Sequence, residues 1–437
     1  VSAPLLLILV VAIAYLATHV AYEWLARRLL IVSGAEYLVL GVLLGPQVSG
    51  LFPTSAAAQF TPIVILGIGW LGLSVGMQFR LQRLIRVPAF KYRLSLVQSL
   101  LTLTLVAAGV SYATAYVYQV PMAVAMIPGI ALGAIAVAST PAGLDVAYGR
   151  SGIRAPVLQQ IEVALGMDAL VSVVAFGLLL AWAHGTTPVA VRALTMTEWV
   201  VVTLGIGVVG GTLFHLFLGE EKHPDRLFVS LAGAVVITSG AAAYLELSPA
   251  MAALVMGVLL ANTMRSPKPV QQVLAASERP LYYSLLVLAG ASWQSEQMIG
   301  WWLVIAHYVV LRTLSKLWGS GIVTWLNRAQ PMVGLDWGRA LIGQGRLTIV
   351  LALDYARRTD LPNSDLVFTC AIVSVLFTEF AAARFVRSAV GPLLLPLEKL
   401  SETADTVVDT VAGTVAQRLP GRWMRGDGEE PQRPESD

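Results

Sequence analysis

Runs of about twenty apolar residues recur along this 437-residue chain, and nothing constrains its fold more. A helix needs about 20 mostly apolar residues to cross a bilayer. Thirteen such runs can be read, near residues 4–22, 36–52, 61–79, 93–118, 121–148, 155–183, 198–218, 227–245, 248–264, 279–292, 298–326, 337–357 and 363–388, the tenth being short. They are continuous, where a transmembrane β-barrel strand alternates over about ten residues. Only 13% of the residues are charged, about half the share in soluble domains. A disordered chain, a nucleic-acid-binding protein and an ordinary cytosolic enzyme are excluded on that ground. The expectation is an all-α polytopic membrane protein. The single cysteine, Cys370, excludes an internal disulfide and a Cys-rich metal site. No Walker A or Gly-rich nucleotide fingerprint appears, so neither ATP-driven transport nor an enzyme is expected, and no cofactor.

The basic residues orient the spans. Alternate connections hold Arg27 and Arg28; Arg80, Arg83, Arg86, Lys91 and Arg93; Arg150 and Arg154; Lys222 and Arg226; Arg265, Lys268 and Arg279; Arg328 and Arg339. These are sixteen, against Arg192, Arg357 and Arg358 in the other set. The positive-inside rule then puts the N-terminus outside and the C-terminus in the cytoplasm of a bacterial-type inner membrane. The first run lacks a basic n-region and reads as an anchor, not a signal peptide. Residues 396–437 read as a cytoplasmic tail, Pro-, Gly- and charge-rich from Pro420 and partly disordered.

Some charges remain within the runs. They are Arg312, Lys316 and Arg346, with the acids Glu162, Asp168, Asp354 and Glu379; Glu36 and Asp145 lie near run ends. An ionisable group inside a membrane is costly and marks a functional site by default. Asp168 is the deepest acid, in Gln160-Ile-Glu-Val-Ala-Leu-Gly-Met-Asp168. A carboxyl at this depth is expected to hold a proton or a cation in turn. Glu162, six residues earlier, falls on a different helix face. It is expected to meet Arg346 or Arg312 or to line a cytoplasmic funnel, and Glu379 to pair with a core arginine. Arg312 and Lys316 share one face of the eleventh run. Each needs an anionic partner or a carbonyl end, unless Lys316 snorkels to the cytoplasmic interface. The five histidines have no metal-ligand spacing.

Two runs carry breaks. The fifth contains Ala138-Ser-Thr-Pro-Ala-Gly143, and the twelfth contains Leu341-Ile-Gly-Gln-Gly-Arg346. Proline removes a donor and clashes one turn back. Counting places both runs equivalently in two five-helix units, runs 2–6 and 9–13, of opposite topology. Paired interruptions of this kind point to a transport site at mid-membrane.

These residues resemble a family. Gly34-Ala-Glu-Tyr-Leu-Val-Leu-Gly-Val-Leu-Leu-Gly-Pro46 is similar to the second-helix signature of the monovalent cation:proton antiporter superfamily. Ala138-Ser-Thr-Pro141 with the Asp168 helix resembles its broken helix and ion-binding helix, Leu311–Gly319 its basic core helix, and Gly343-Gln-Gly-Arg346 its crossing motif. The resemblance spans roughly residues 5–390. It implies a homodimer among membrane lipids, inverted five-helix repeats, and two crossing broken helices near Thr140 and Gly345. It also implies core helices at about 93–183 and 298–388 and dimerisation helices at about 36–79 and 227–292, within a transmembrane domain of residues 1–395. By position, Asp168 would be the shared cation and proton carboxylate. Thr140 and Ser139 would supply oxygens, and Arg312 or Lys316 would be released as a cation binds. The transported Na+ or K+ and the proton would be the only small-molecule partners. Two departures stand out. Met167 replaces a polar residue before the key aspartate, and Ser-Thr-Pro replaces Thr-Asp-Pro. With one site carboxylate, exchange is expected to be one for one and electroneutral. A same-fold transporter of an organic anion or other solute, and a membrane sensor that does not transport, are the alternatives.

Overall fold

The computed structural model describes residues 34–46, 48–50, 59–140, 156–184, 188–189, 192–218, 223–293, 298–327, 337–358 and 360–378. The first run, Asp145, Glu379 and the tail lie outside them. The described elements are helical except for a two-residue hairpin, Pro188–Val189 with Arg192–Ala193. The helices are α1 (Ala35–Leu44), α2 (Thr61–Gly76), α3 (Ala89–Tyr118), α4 (Met122–Val137), α5 (Pro156–Ala183) and α6 (Met196–Leu218). They continue with α7 (Pro224–Tyr244), α8 (Pro249–Thr263), α9 (Lys268–Ser292), α10 (Met298–Leu326), α11 (Arg346–Ala356) and α12 (Ser364–Thr378). One turn, Leu81–Leu84, lies between α2 and α3, and a 3-10 segment, Trp337–Leu341, precedes α11. The chain is an all-α polytopic membrane protein. Helices α3, α5, α6 and α7 are each long and apolar enough to cross a bilayer.

Local sequence sets the ends. Pro62, Pro224 and Pro249 sit at the starts of α2, α7 and α8, where a missing N–H costs nothing. Ser248 caps α8 by accepting from the Met251 N–H at 3.2 Å. Helix α1 stops at Gly45, whose ψ of 168° is what the following Pro46 demands, so the second span is shorter than the apolar run. Helix α9 is longer than its run, starting at Lys268 and not near residue 279. Its first half is amphipathic, and hydropathy alone missed it because Lys268, Gln271, Glu278 and Arg279 dilute the apolar face.

The helices fall into two packed groups. In one, α3 packs on α4, α5 and α10, and α4 packs on α5. In the other, α1 packs on α9, α2 on α8, and α7 on α2 and α8. The inverted repeat is visible in the second group. Unit one, α1–α5, and unit two, α8–α12, exchange partners: α1 crosses α9 and α2 crosses α8. Each crossing is closed by two glycines. A Cβ on Gly41 would strike the Val287 carbonyl, and one on Gly290 the Leu38 carbonyl; Gly76 and Gly257 meet Leu254 and Leu73 in the same way. Backbones touch there, and no side chain can yield. Gly257→Val is therefore expected to cost at least about 1–3 kcal/mol through overpacking, read as a lower melting temperature in detergent.

Candidate functional site

Pro141 has no N–H, so the Val137 carbonyl one turn back receives no helical bond from it. Helix α4 ends at Val137, and Ala138–Thr140 run non-helically. In the second unit the 3-10 segment ends at Leu341, Ile342–Gly345 are non-helical, and α11 restarts at Arg346. The two unwound stretches cross. The Thr140 N–H donates to the Gly343 carbonyl at 3.0 Å, and the Ser139 hydroxyl donates to the Leu341 carbonyl at 2.9 Å. Gly345 makes the crossing possible, since a Cβ there would lie 2.7 Å from the Thr140 methyl.

Helix α10 supplies two cations to these carbonyls, and both are fully buried. Arg312 donates to Ile342 at 2.6 Å, to Ala138 at 3.3 Å and to Gly343 at 3.4 Å. Its fork thus binds both unwound strands. Lys316, one turn on, donates to the Val137 carbonyl at 2.9 Å and to Asp168 Oδ2 at 2.7 Å. The negative end of the α4 dipole adds to that attraction. Lys316 does not snorkel; an anionic partner and a carbonyl end hold it at depth instead.

Asp168 is fully buried on α5. Ser99 of α3 donates to its Oδ1 at 2.7 Å, opposite Lys316 on Oδ2. The same Ser99 hydroxyl lies 2.9 Å from the Ser95 carbonyl, so its one proton has two acceptors. Ser99 is a site residue that hydropathy reading missed. The signal was there in Lys91, Ser95, Gln98, Ser99 and Thr102, a buried polar stripe at helical spacing on one face of α3. Beside the crossing, the Gln344 amide donates to the Tyr308 hydroxyl at 3.3 Å and accepts from Ser374 at 2.5 Å. The buried Thr140 hydroxyl has no hydrogen-bond partner among the described residues. Ser139 is occupied by carbonyls, so Thr140 is the freer oxygen.

The remaining charges separate from this centre. Arg346 does not face Asp168. It forms an ion pair with Glu278 of α9, which also accepts from Ser74 of α2 at 3.1 Å. Glu162 is exposed and forms no ion pair with Arg346 or Arg312, whose partners are Glu278 and backbone carbonyls. Asp354 is buried against Arg357 at 2.7 Å and Arg358 at 3.3 Å. No cluster of three or more metal-ligating side chains occurs among the described residues.

Two unwound helices crossing at a buried carboxylate, within inverted repeats, define the class as a polytopic transporter-type membrane fold. The chain belongs to the sodium/hydrogen exchanger family: the model of "Sodium/hydrogen exchanger, transmembrane" matches residues 35–386. Its fold is similar to that of the sodium proton antiporter MjNhaP1 from Methanocaldococcus jannaschii at pH 8, with a TM-score of 0.65 and 16% identity over 90% of this chain and 98% of that one. An electron-microscopy structure of the same antiporter matches with a TM-score of 0.58 and 17% identity over 89% and 96% of the two chains. No curated protein matches the chain in sequence.

Proposed function

We propose that this protein exchanges a monovalent cation, Na+ or K+, for protons across a bacterial-type inner membrane by alternating access. The observation that carries the reading is the Asp168–Lys316 pair, buried where the two broken helices meet. A cation arriving at Asp168 competes with the Lys316 ammonium for the same oxygen. Ser99 and Thr140 supply the neutral oxygens that replace part of its hydration. A proton on the carboxyl and a cation against the carboxylate are then mutually exclusive. With Met167 in place of a second oxygen ligand, one site carboxylate serves both ions, and each cation moves against one proton. The homodimer, with α1, α2, α7, α8 and α9 as the stationary group, belongs to this proposal, as does the outside N-terminus.

The organic-anion alternative needs a free core cation. Arg312 is spent on three carbonyls and Arg346 on Glu278, which disfavours it.

In proteoliposomes, an imposed Na+ or K+ gradient should drive proton movement in the opposite direction. Clamping the membrane potential should leave the initial rate unchanged. Absence of proton movement with every monovalent cation tested would sink the exchanger reading. A rate that follows the potential would sink electroneutrality alone.

Movement of one helix group past the other must open the Arg346–Glu278 pair, which joins α11 to α9. The pair is partly exposed, so it contributes about 1 kcal/mol or less. Glu278→Gln should therefore raise the maximal exchange rate about two- to fivefold, with little change in KM or melting temperature. Kinetics over a cation series would check this.

A further inference from the structure

A cavity of about 770 Å³ lies between α5 and the segment that joins α2 to α3. Met167 and Leu170 of α5 line one side, and Leu84, Ile85, Arg86 and Tyr92 line the other. The volume is that of a small-molecule site. Its chemistry is wrong for the transported ion: no carboxylate lines it, its one charged lining residue is Arg86, and apart from that guanidinium and the Tyr92 hydroxyl the lining side chains are apolar. A passing cation would be repelled, whereas an apolar chain with an anionic head would be held.

The wall is fixed at both ends. The Leu81 N–H donates to Asn262 Oδ1 at 2.8 Å, and the Asn262 amide donates to the Phe79 carbonyl at 2.9 Å. Lys91 donates to Gln159 of α5 at 2.7 Å. Between these anchors Arg80, Arg83 and Arg86 alternate with the exposed Leu81 and Ile85. Mixed basic and apolar side chains of this kind lie in a membrane interface and attract anionic lipid. The charge bias assigns this connection to the cytoplasmic side.

We propose that the cavity is a binding site for one anionic phospholipid of the cytoplasmic leaflet. An acyl chain fills the space against Met167 and Leu170, and the phosphate rests on Arg83 and Arg86. Because Met167 precedes Asp168 and the connection joins the two helix groups, the lipid touches both the exchange helix and the link that must move with it.

The test reads binding, so it stands apart from the exchanger reading. The full chain is equilibrated in mixed micelles with phosphatidylglycerol or phosphatidylcholine, and retained lipid is measured by native mass spectrometry. Phosphatidylglycerol should be retained about tenfold more tightly than phosphatidylcholine. Leu170→Trp, which fills the cavity, should lower its retention about tenfold, and Leu170→Phe serves if the tryptophan variant folds poorly. Arg83→Gln with Arg86→Gln should remove the preference for phosphatidylglycerol. Equal retention by the filled variants and the native chain would place the lipid on surface arginines and overturn the proposal. Equal retention of phosphatidylcholine would overturn it too, as would preferential retention of a free fatty acid.

Discussion

Asp168→Asn is expected to reduce cation-driven proton movement to background and to destabilise the protein by about 3–5 kcal/mol. Asparagine keeps the shape but can neither bind and release a proton nor carry a negative charge. It also leaves the Lys316 ammonium buried with only neutral oxygens beside it, the Val137 carbonyl and the asparagine amide, and no counter-charge. An ion pair with one partner removed costs more than the pair removed whole. Asp168→Asn combined with Lys316→Met should thus melt closer to the native protein than Asp168→Asn alone, while remaining inactive. Thermal unfolding in detergent, run beside the flux assay, separates the two effects.

Arg312→Ala should be the second most damaging change, and for a different reason. Among the described residues the guanidinium bonds to no carboxylate; it closes three carbonyls on two unwound strands. Without it Ala138, Ile342 and Gly343 lose a charged donor in a place where water is scarce. The Gly343 carbonyl keeps the Thr140 N–H, but Ala138 and Ile342 lose their side-chain donor; at about 1–3 kcal/mol for each unpaired buried acceptor, a loss of roughly 2–6 kcal/mol is expected, with the crossing disordered and transport lost. Arg312→Lys should recover little, because a single ammonium cannot reproduce a planar fork. A melting temperature for Arg312→Ala within about 2 °C of the native value would contradict this structural role.

The broad fold was legible because membrane solvation leaves few choices. Long apolar runs must be helices, and Pro141 and the Gly343–Gly345 pair must weaken two of them. Asp168, Arg312 and Lys316 were legible for the same reason: charge at depth has to be explained. What stayed hidden depends on contacts between distant segments. Whether Arg312 or Lys316 meets Asp168 is decided by one helical turn along α10, which spacing does not resolve. Arg346 looked like a third core cation because its partner, Glu278, sat just before an apparent span start. Ser99 is small and neutral, and hydropathy passes over it; only the polar stripe down α3 betrays it. The fold's two glycine crossings were likewise invisible, since glycine is common in membrane helices and its partner lies far along the chain, Gly290 for Gly41 and Gly257 for Gly76.

The central claim is that the buried Asp168–Lys316 pair is where cation and proton exchange. Its most direct test compares cation-driven proton movement in proteoliposomes of the native protein and of the Asp168→Asn, Lys316→Met double variant, matched for folded protein by melting temperature. The account predicts exchange that saturates with Na+ or K+ in the native protein and none above empty vesicles in the double variant. Exchange at a comparable rate in a folded double variant would contradict it.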